Sequence, residues 1–412
     1  MQNKIQLRLL LCFRLTRTLA AGLIAVAFPY YVLTQLHYSA FMLGMLYATA
    51  TLATAALALF FGYLADVSGR KGTLFLAGIL LPVGALIAFS SGRLVFLFAA
   101  AMLGGFSATG ARASGGAGGA AQPVQSAAIA DLTTVDNRTH FFSLFTFLSG
   151  LFGAGGILLA KVLGGRDAFL AAAIISAAGI PFVLPMRFPR RQRTNRPAMT
   201  SWKNIGKFSI TGAVNGFSQG LIMPFLIPFF VIVYHLARPR MATYGFIAEL
   251  LSSAALLISP FIERKLGFVK GVAFTRAAGA ALLLLLPLTH NLPLALGIYL
   301  LTPALRVVAV PAQQTALTAM VRENETGRAL GMTQVARLGA STGAIAFTGY
   351  AFGAEEIAAP FYAYAVVITF SLMLYFRLFG ARPELRPESS PANKRSAQPT
   401  IDTSDALDPP EN

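Results

Sequence analysis

The chain has 412 residues, of which 56% are hydrophobic and only 12% charged, and its mean hydropathy is +0.65. Ordinary soluble domains carry roughly 25% charged residues, so this composition excludes a soluble fold and points to a bilayer. The formal net charge of +17 would suit nucleic acid in a soluble protein, but here it is read as anchoring against anionic lipid, with no nucleic-acid partner.

The apolar runs reach the about 20 residues that a helix needs to cross about 30 Å of hydrocarbon. They lack the alternating sidedness of barrel strands, so helices must satisfy the backbone in lipid. The first run, 13–34, follows Lys4, Arg8, Arg14 and Arg17 as the core of a signal peptide would. It is read as a retained span because it continues through Pro29, Tyr30 and Tyr31 to full length. Arg14 and Arg17 are expected to snorkel to the inner surface. Tyr30 and Tyr31 are candidates either to cover a solute or to anchor at the interface.

The second span, 41–64, runs into a polar turn, Gly62-Tyr-Leu-Ala-Asp66-Val-Ser-Gly69-Arg70-Lys71-Gly72, before the third, 73–91. Gly62 would permit close helix approach and Gly69 a reversal at positive φ, while Asp66 would meet neighbouring helix ends or Arg70. The fourth span, 93–130, is interrupted by Arg112 and the run Ala113-Ser-Gly-Gly-Ala-Gly-Gly119. In the fifth, 140–163, Gly150, Gly153, Gly155 and Gly156 offer a surface for close packing. The sixth covers 167–186, and a basic, proline-flanked linker follows from Phe188 to Pro197.

The seventh span, 207–233, carries Asn215, Gln219, Pro224 and Pro228, a broken polar stripe expected to line a cavity. Ionisable groups at a helix centre cost about 2.5–3.5 kcal/mol on insertion scales, so they face a cavity or a partner. Glu249, in the eighth span (241–262), is the clearest embedded carboxylate. Two readings of it stay open: a proton carrier, or a packing partner of Arg276 or Arg337. The remaining spans are 271–289, 293–320 with Arg306, 329–352 with Arg337, and 359–379. Arg112 and Arg306, from related places in the two halves, suggest a clamp for an organic anion or phosphate ester, and Arg337 is similar in prospect. From about Arg382 the tail is rich in proline, serine and charge and reads as disordered.

A duplication underlies this order. Pro123-Val-Gln125-Ser-Ala-Ala128, followed by Arg138 and the Gly150–Gly156 run, is echoed by Pro311-Ala-Gln313-Gln-Thr-Ala316, then Arg328 and Gly339 to Gly343. The turn at 62–72 has a weaker echo in Glu263-Arg-Lys-Leu-Gly267-Phe-Val-Lys-Gly271. The expected organisation is an N-terminal six-helix bundle at 1–188, a linker at 189–204, a second bundle at 205–380 and a tail at 381–412. Lysine and arginine concentrate in one set of loops, which places both termini in the cytoplasm, and the expected home is a bacterial inner (plasma) membrane. The single Cys12 excludes an intramolecular disulfide. No metal pattern, nucleophile, cofactor motif or P-loop appears, so neither a cofactor nor an enzymatic activity is expected.

Twelve spans, cytoplasmic termini, the basic central loop and the turn Gly62-x-Leu64-Ala65-Asp66-x-x-Gly69-Arg70-Lys71 together resemble the major facilitator superfamily. The resemblance covers about residues 8–380. It implies an all-α polytopic protein, two pseudo-symmetric six-helix bundles rocking about a midplane cavity. It also implies a gating role for Asp66, Gly69, Arg70 and Lys71, with the aspartate and basic residues favouring the outward-open arrangement. The family's antiporter signature in the fifth helix contains Gly-Pro, and this chain has the glycines without the proline. The function expected is secondary transport of a small organic solute, coupled to protons and leaning to efflux. The alternatives are the anion carrier and a non-transporting receptor or scaffold.

Overall fold

The computed structural model describes residues 2–106, 119–133, 135–188, 200–321 and 325–379. Among them every regular element is helical. Helix α1 (Gln2–Tyr30) ends just past Pro29 in a π turn, Tyr31–Gln35. Ser39 then caps α2 (Ala40–Val67) by accepting the Met42 N–H. Helices α3 (Arg70–Ser90) and α4 (Leu94–Gly104) follow. Beyond the undescribed stretch that holds Arg112 come α5 (Gln122–Leu132), α6 (Val135–Leu159) and α7 (Gly165–Ala177).

The second half opens with α8 (Trp202–Ile222) and α9 (Leu226–Tyr234), one crossing broken at Pro224, whose missing N–H interrupts the hydrogen-bond ladder. Helix α10 (Arg238–Leu285) carries two crossings, turned at Gly267, where φ is 72°. Helices α11 (Leu292–Met320), α12 (Thr326–Gly353) and α13 (Ala359–Phe379) complete the chain. Among the described residues, ten helical segments are long and apolar enough to cross a membrane. Helix α4, of 11 residues, is apolar but shorter than these, α12 is long enough but not among the ten, and the expected fourth span, 93–130, runs partly outside the described residues. The first crossing begins earlier than the sequence suggests, at Gln2, because Leu7 and Leu10 are buried against other helices. The basic linker and the tail lie outside the described residues.

The internal duplication has a structural counterpart. Gly69 and Gly267 occupy matching turns with φ of 93° and 72°, a conformation that a side chain disfavours. Within the first half, α1 and α6 touch main chain to main chain, since a methyl group at Gly22 or Gly156 would overlap the carbonyl of Gly153 or Leu19. Within the second, Gly216 and Gly220 of α8 meet the carbonyls of Arg337 and Ser341 on α12 in the same way. The expected counterpart run fails here, because Gly339 and Gly343 face open space and α8 supplies the close approach. Gly62 likewise has open space where a side chain would stand, so it serves no close helix approach.

The buried residues divide unequally along the bundle. One large core draws on both halves, including Tyr30, Leu43, Ile157, Phe225, Tyr299 and Phe352. Two smaller cores stay apart, one built from Leu7, Phe61, Val124 and Val183, the other from Ile205, Val272, Leu317 and Phe379. The shared core lies at the end where α1 finishes and α2 begins. The separate cores lie at the end carrying the start of α1 and the Gly69 turn. Among the described residues the halves therefore share a buried core at one end, here called the joined end, and keep separate cores at the other, the parted end.

Candidate functional site

At the joined end the seam is formed by small residues and aromatic rings. A methyl group on Gly44 of α2 would overlap the main chain of Gly349 of α12, and Phe41 packs against Gly353 one turn further out. Tyr47 meets Phe225 edge to face at 6.2 Å between ring centroids. The Tyr30 hydroxyl donates to the Leu236 carbonyl, across the seam. Tyr30 and Tyr31 are both buried, and Arg166 Nε donates to the Tyr31 hydroxyl at 3.4 Å. Both tyrosines belong to the large core that the two halves share.

Further along the seam, α10 presents a stripe to α6. Gly245 packs on Ile157, and Ser253 packs on Gly150 so closely that a methyl there would strike its hydroxyl. Glu249 lies between them at the i, i+4 spacing that keeps side chains on one helix face, and it is 7% exposed. The embedded carboxylate thus lies on the face where the two halves meet. Arg276, offered as its packing partner, bonds elsewhere: it donates to the Ser371 hydroxyl at 2.7 Å and stands 4.5 Å from the Tyr375 ring centroid.

The second half also holds a group of cations that bond to side-chain amides and a phenol. Arg337 donates to Gln334 Oε1 from Nε and Nη2, at 3.2 and 2.8 Å, and to Gln219 Oε1 from Nη1 at 3.2 Å. Arg306 donates to the Tyr364 hydroxyl at 3.3 Å, and among the described residues it forms no ion pair. The charges of Arg306 and Arg337 act on each other electrostatically. Asn215 is buried one turn from Gln219 on α8. The structure therefore brings Gln219 and Arg337 together, with Asn215 one turn away, and adds Gln334, which sequence reasoning missed. Arg112, the expected first-half partner of Arg306, lies outside the described residues.

Arg14 and Arg17 do not snorkel. They are 4% and 2% exposed, inside the first bundle. Arg14 Nε donates to Ser149 Oγ at 2.7 Å. Arg17 Nη1 donates to the carbonyls of Gly78 and Ala77 at 2.9 and 3.2 Å. The first contact has a covalent origin. Pro82 has no N–H to offer the carbonyl four residues back, and that carbonyl is Gly78. A proline inside α3 was the available signal that a donor from another helix was needed.

At the parted end, Arg70 Nε meets Asp131 Oδ2 at 2.6 Å, linking the start of α3 to α5 within the first half. Lys71 is exposed, and the Asp66 side chain lies outside what is described. In the second half, Glu325 does comparable work. Its Oε1 accepts the Thr200 N–H at 2.6 Å and the Thr200 hydroxyl at 3.0 Å, and its Oε2 accepts the Ser201 N–H at 3.0 Å. The Ser201 hydroxyl and the Thr200 N–H lead the bonds that favour the charged form, and they hold the carboxyl well below the usual range, at about 2. A lowered folded-state pKa stabilises above the unfolded value and fades as pH falls toward the folded one. Glu325→Gln is therefore expected to lower the melting temperature at pH 7, with a difference that shrinks as the pH is taken from about 5 toward about 3. Thermal unfolding of both forms in detergent across that range measures it. A pH-independent difference would mean that shape, not charge, matters there.

Comparison with known proteins agrees with this architecture. The profile of the Major Facilitator Superfamily matches residues 10–344. No curated protein matches the sequence. The fold is similar to that of the nucleoside transporter NupG, at 13% identity and a TM-score of 0.71, covering 91% of this chain and all of that one. A D-xylose-proton symporter is similar at 13% identity and 0.69, covering 91% and 97%. A bacterial homolog of the human lysosomal transporter Spinster, inward-facing and occupied, is similar at 15% identity and 0.68, covering 90% and 95%.

Proposed function

Because the chain belongs to the Major Facilitator Superfamily, a family of membrane transporters, we propose that it moves a small organic solute across the membrane by alternating access, coupled to protons. The observation that carries this reading is the division of the cores. Among the described residues the two halves share a buried core at one end only, which supports a cleft between them at the other, and rocking would exchange the two. With the lysine- and arginine-rich loops in the cytoplasm, the cleft is an inward-facing one, in a bacterial inner membrane with both termini inside. The halves are assigned to 1–188 and 205–380, with the basic linker at 189–204 and the tail at 381–412.

Glu249 is the proposed proton carrier. It sits on the contact stripe between Gly245 and Ser253, so gaining or losing its charge alters the surface on which the halves part. Asp66, Gly69, Arg70 and Lys71 are proposed to bias the two conformers, with Arg70 acting through Asp131. Export is the proposed direction, on the resemblance of the sequence pattern to drug and metabolite exporters. Uptake into proteoliposomes under imposed pH and voltage gradients, screening organic anions against lipophilic cations, tests coupling, direction and charge preference together. Solute-independent behaviour throughout would support a receptor or scaffold instead.

A second reading is favoured by one feature, the guanidinium of Arg306, which meets a phenol and, among the described residues, no carboxylate. A charge left unneutralised inside a span suits an anionic solute, whose carboxylate or phosphate oxygens match the guanidinium fork. On this reading Arg306→Gln raises the half-saturation concentration for an organic anion about tenfold, the loss of ~1.4 kcal/mol of binding. Transport of a lipophilic cation is unchanged. Equal losses for both solutes would remove the anion assignment.

A further inference from the structure

At the joined end, between the halves, lies a cavity of about 420 Å³. The first half contributes Tyr30, Thr34 and Gln35 from the end of α1, and the second contributes His235 and Arg238 from the α9–α10 connection. Among the described residues, no acidic side chain lines it. The guanidinium of Arg238 rests against Gly164, where even a methyl group would displace it. Among the described residues it forms no hydrogen bond or ion pair. A cation held against main chain, beside an amide, a hydroxyl and an imidazole, with its donors unused, is the chemistry of an oxyanion site. The positive end of α10, which begins at Arg238, adds to the same field.

We propose that this cavity binds a small oxyanion, a carboxylate or a phosphate, and that occupancy holds the outer side of the protein shut. The second part follows from position. The walls belong to different halves, so opening the outer side pulls the site apart, and a ligand that needs both walls binds only the closed form. Such a ligand multiplies the closed-to-open ratio by one plus its concentration over its Kd, about elevenfold at ten times Kd. The consequence for conformation rests on the alternating-access reading, whereas binding itself does not.

The test uses the full chain with Cys12→Ser and spin labels on Val162→Cys and His290→Cys, exposed positions at the outer ends of the two halves. The distance between labels is measured in nanodiscs by pulsed electron resonance, which requires no transport. One arm titrates inorganic phosphate in neutral phosphatidylcholine at constant ionic strength. The other replaces part of that lipid with anionic phosphatidylglycerol without phosphate. A rise in the short-distance population in the first arm identifies a soluble anion, and in the second a lipid headgroup. Arg238→Gln is expected to abolish the rise while leaving melting in phosphate-free buffer unchanged. Should that variant fail to fold, Gln35→Ala decides, since it must shift the dose dependence to higher concentration. No population change in either arm, or a change that survives Arg238→Gln or is untouched by Gln35→Ala, overturns the proposal. Phosphate is also expected to raise the melting temperature of the parent protein and not that of Arg238→Gln, and a protein that failed every transport assay would still give that shift, so the two readings fail separately.

Discussion

Valine at Gly44 is expected to reduce transport by roughly tenfold to a hundredfold while the protein still folds and inserts. The added branches would collide with the main chain of Gly349 on the opposite half and press on the Phe225 ring. Overpacking a close contact costs about 1–3 kcal/mol, and backbone on the far side cannot rotate away. The strain exists only when the outer side is closed, because opening separates α2 from α12. The variant is thus held open outward, and the closed-to-open ratio falls by about one to two decades. Distances between the outer labels would lengthen in step with the loss of uptake. Alanine at the same position should give a smaller loss in the same direction, and wild-type uptake by the valine form would refute the seam.

Glutamine at Glu249 is expected to abolish accumulation driven by a pH gradient, by about tenfold or more, while solute exchange down a concentration gradient persists. The amide copies the shape of a protonated carboxyl, so the packing between Gly245 and Ser253 is kept and only the proton is lost. Placing a charged carboxylate inside a span costs about 2.5–3.5 kcal/mol at a helix centre. Such a cost is explained if the charge is discharged once per cycle. Loss of exchange together with accumulation would instead make Glu249 a structural residue. Retained gradient-driven accumulation would exclude it from coupling.

Much of the architecture is legible in the sequence because membrane spans are written in long, redundant runs. Hydropathy alone bounds the last helix at 359–379, and the structure has it at Ala359–Phe379. The match between Gly69 and Gly267 is also readable, since a turn at positive φ leaves a glycine behind. What escapes is the facing of single side chains. Arg14 and Arg17 stand near the expected start of the first span, at 13, and read as snorkelling, but α1 begins at Gln2 and their partners, Ser149 and the Gly78 carbonyl, are on helices distant in sequence. Gly339 and Gly343 look like a packing run, but the face of α12 that touches α8 carries Arg337 and Ser341 instead. Glu325 sits in a short connection with no motif of its own and matters only because Thr200 and Ser201 arrive beside it.

The direct main-chain contacts inside each half, at Gly22 and Gly156 and again at Gly216 and Gly220, bear on how force travels through the molecule. At these points no side chain separates the paired helices and there is little to compress or reshuffle, which would let each half move as a stiff lever. For the rocking proposed above, the fulcrum would fall where Ser253 rests on Gly150, partway along both arms. A push on the outer tips is then delivered, reversed in direction, to the opposite mouth.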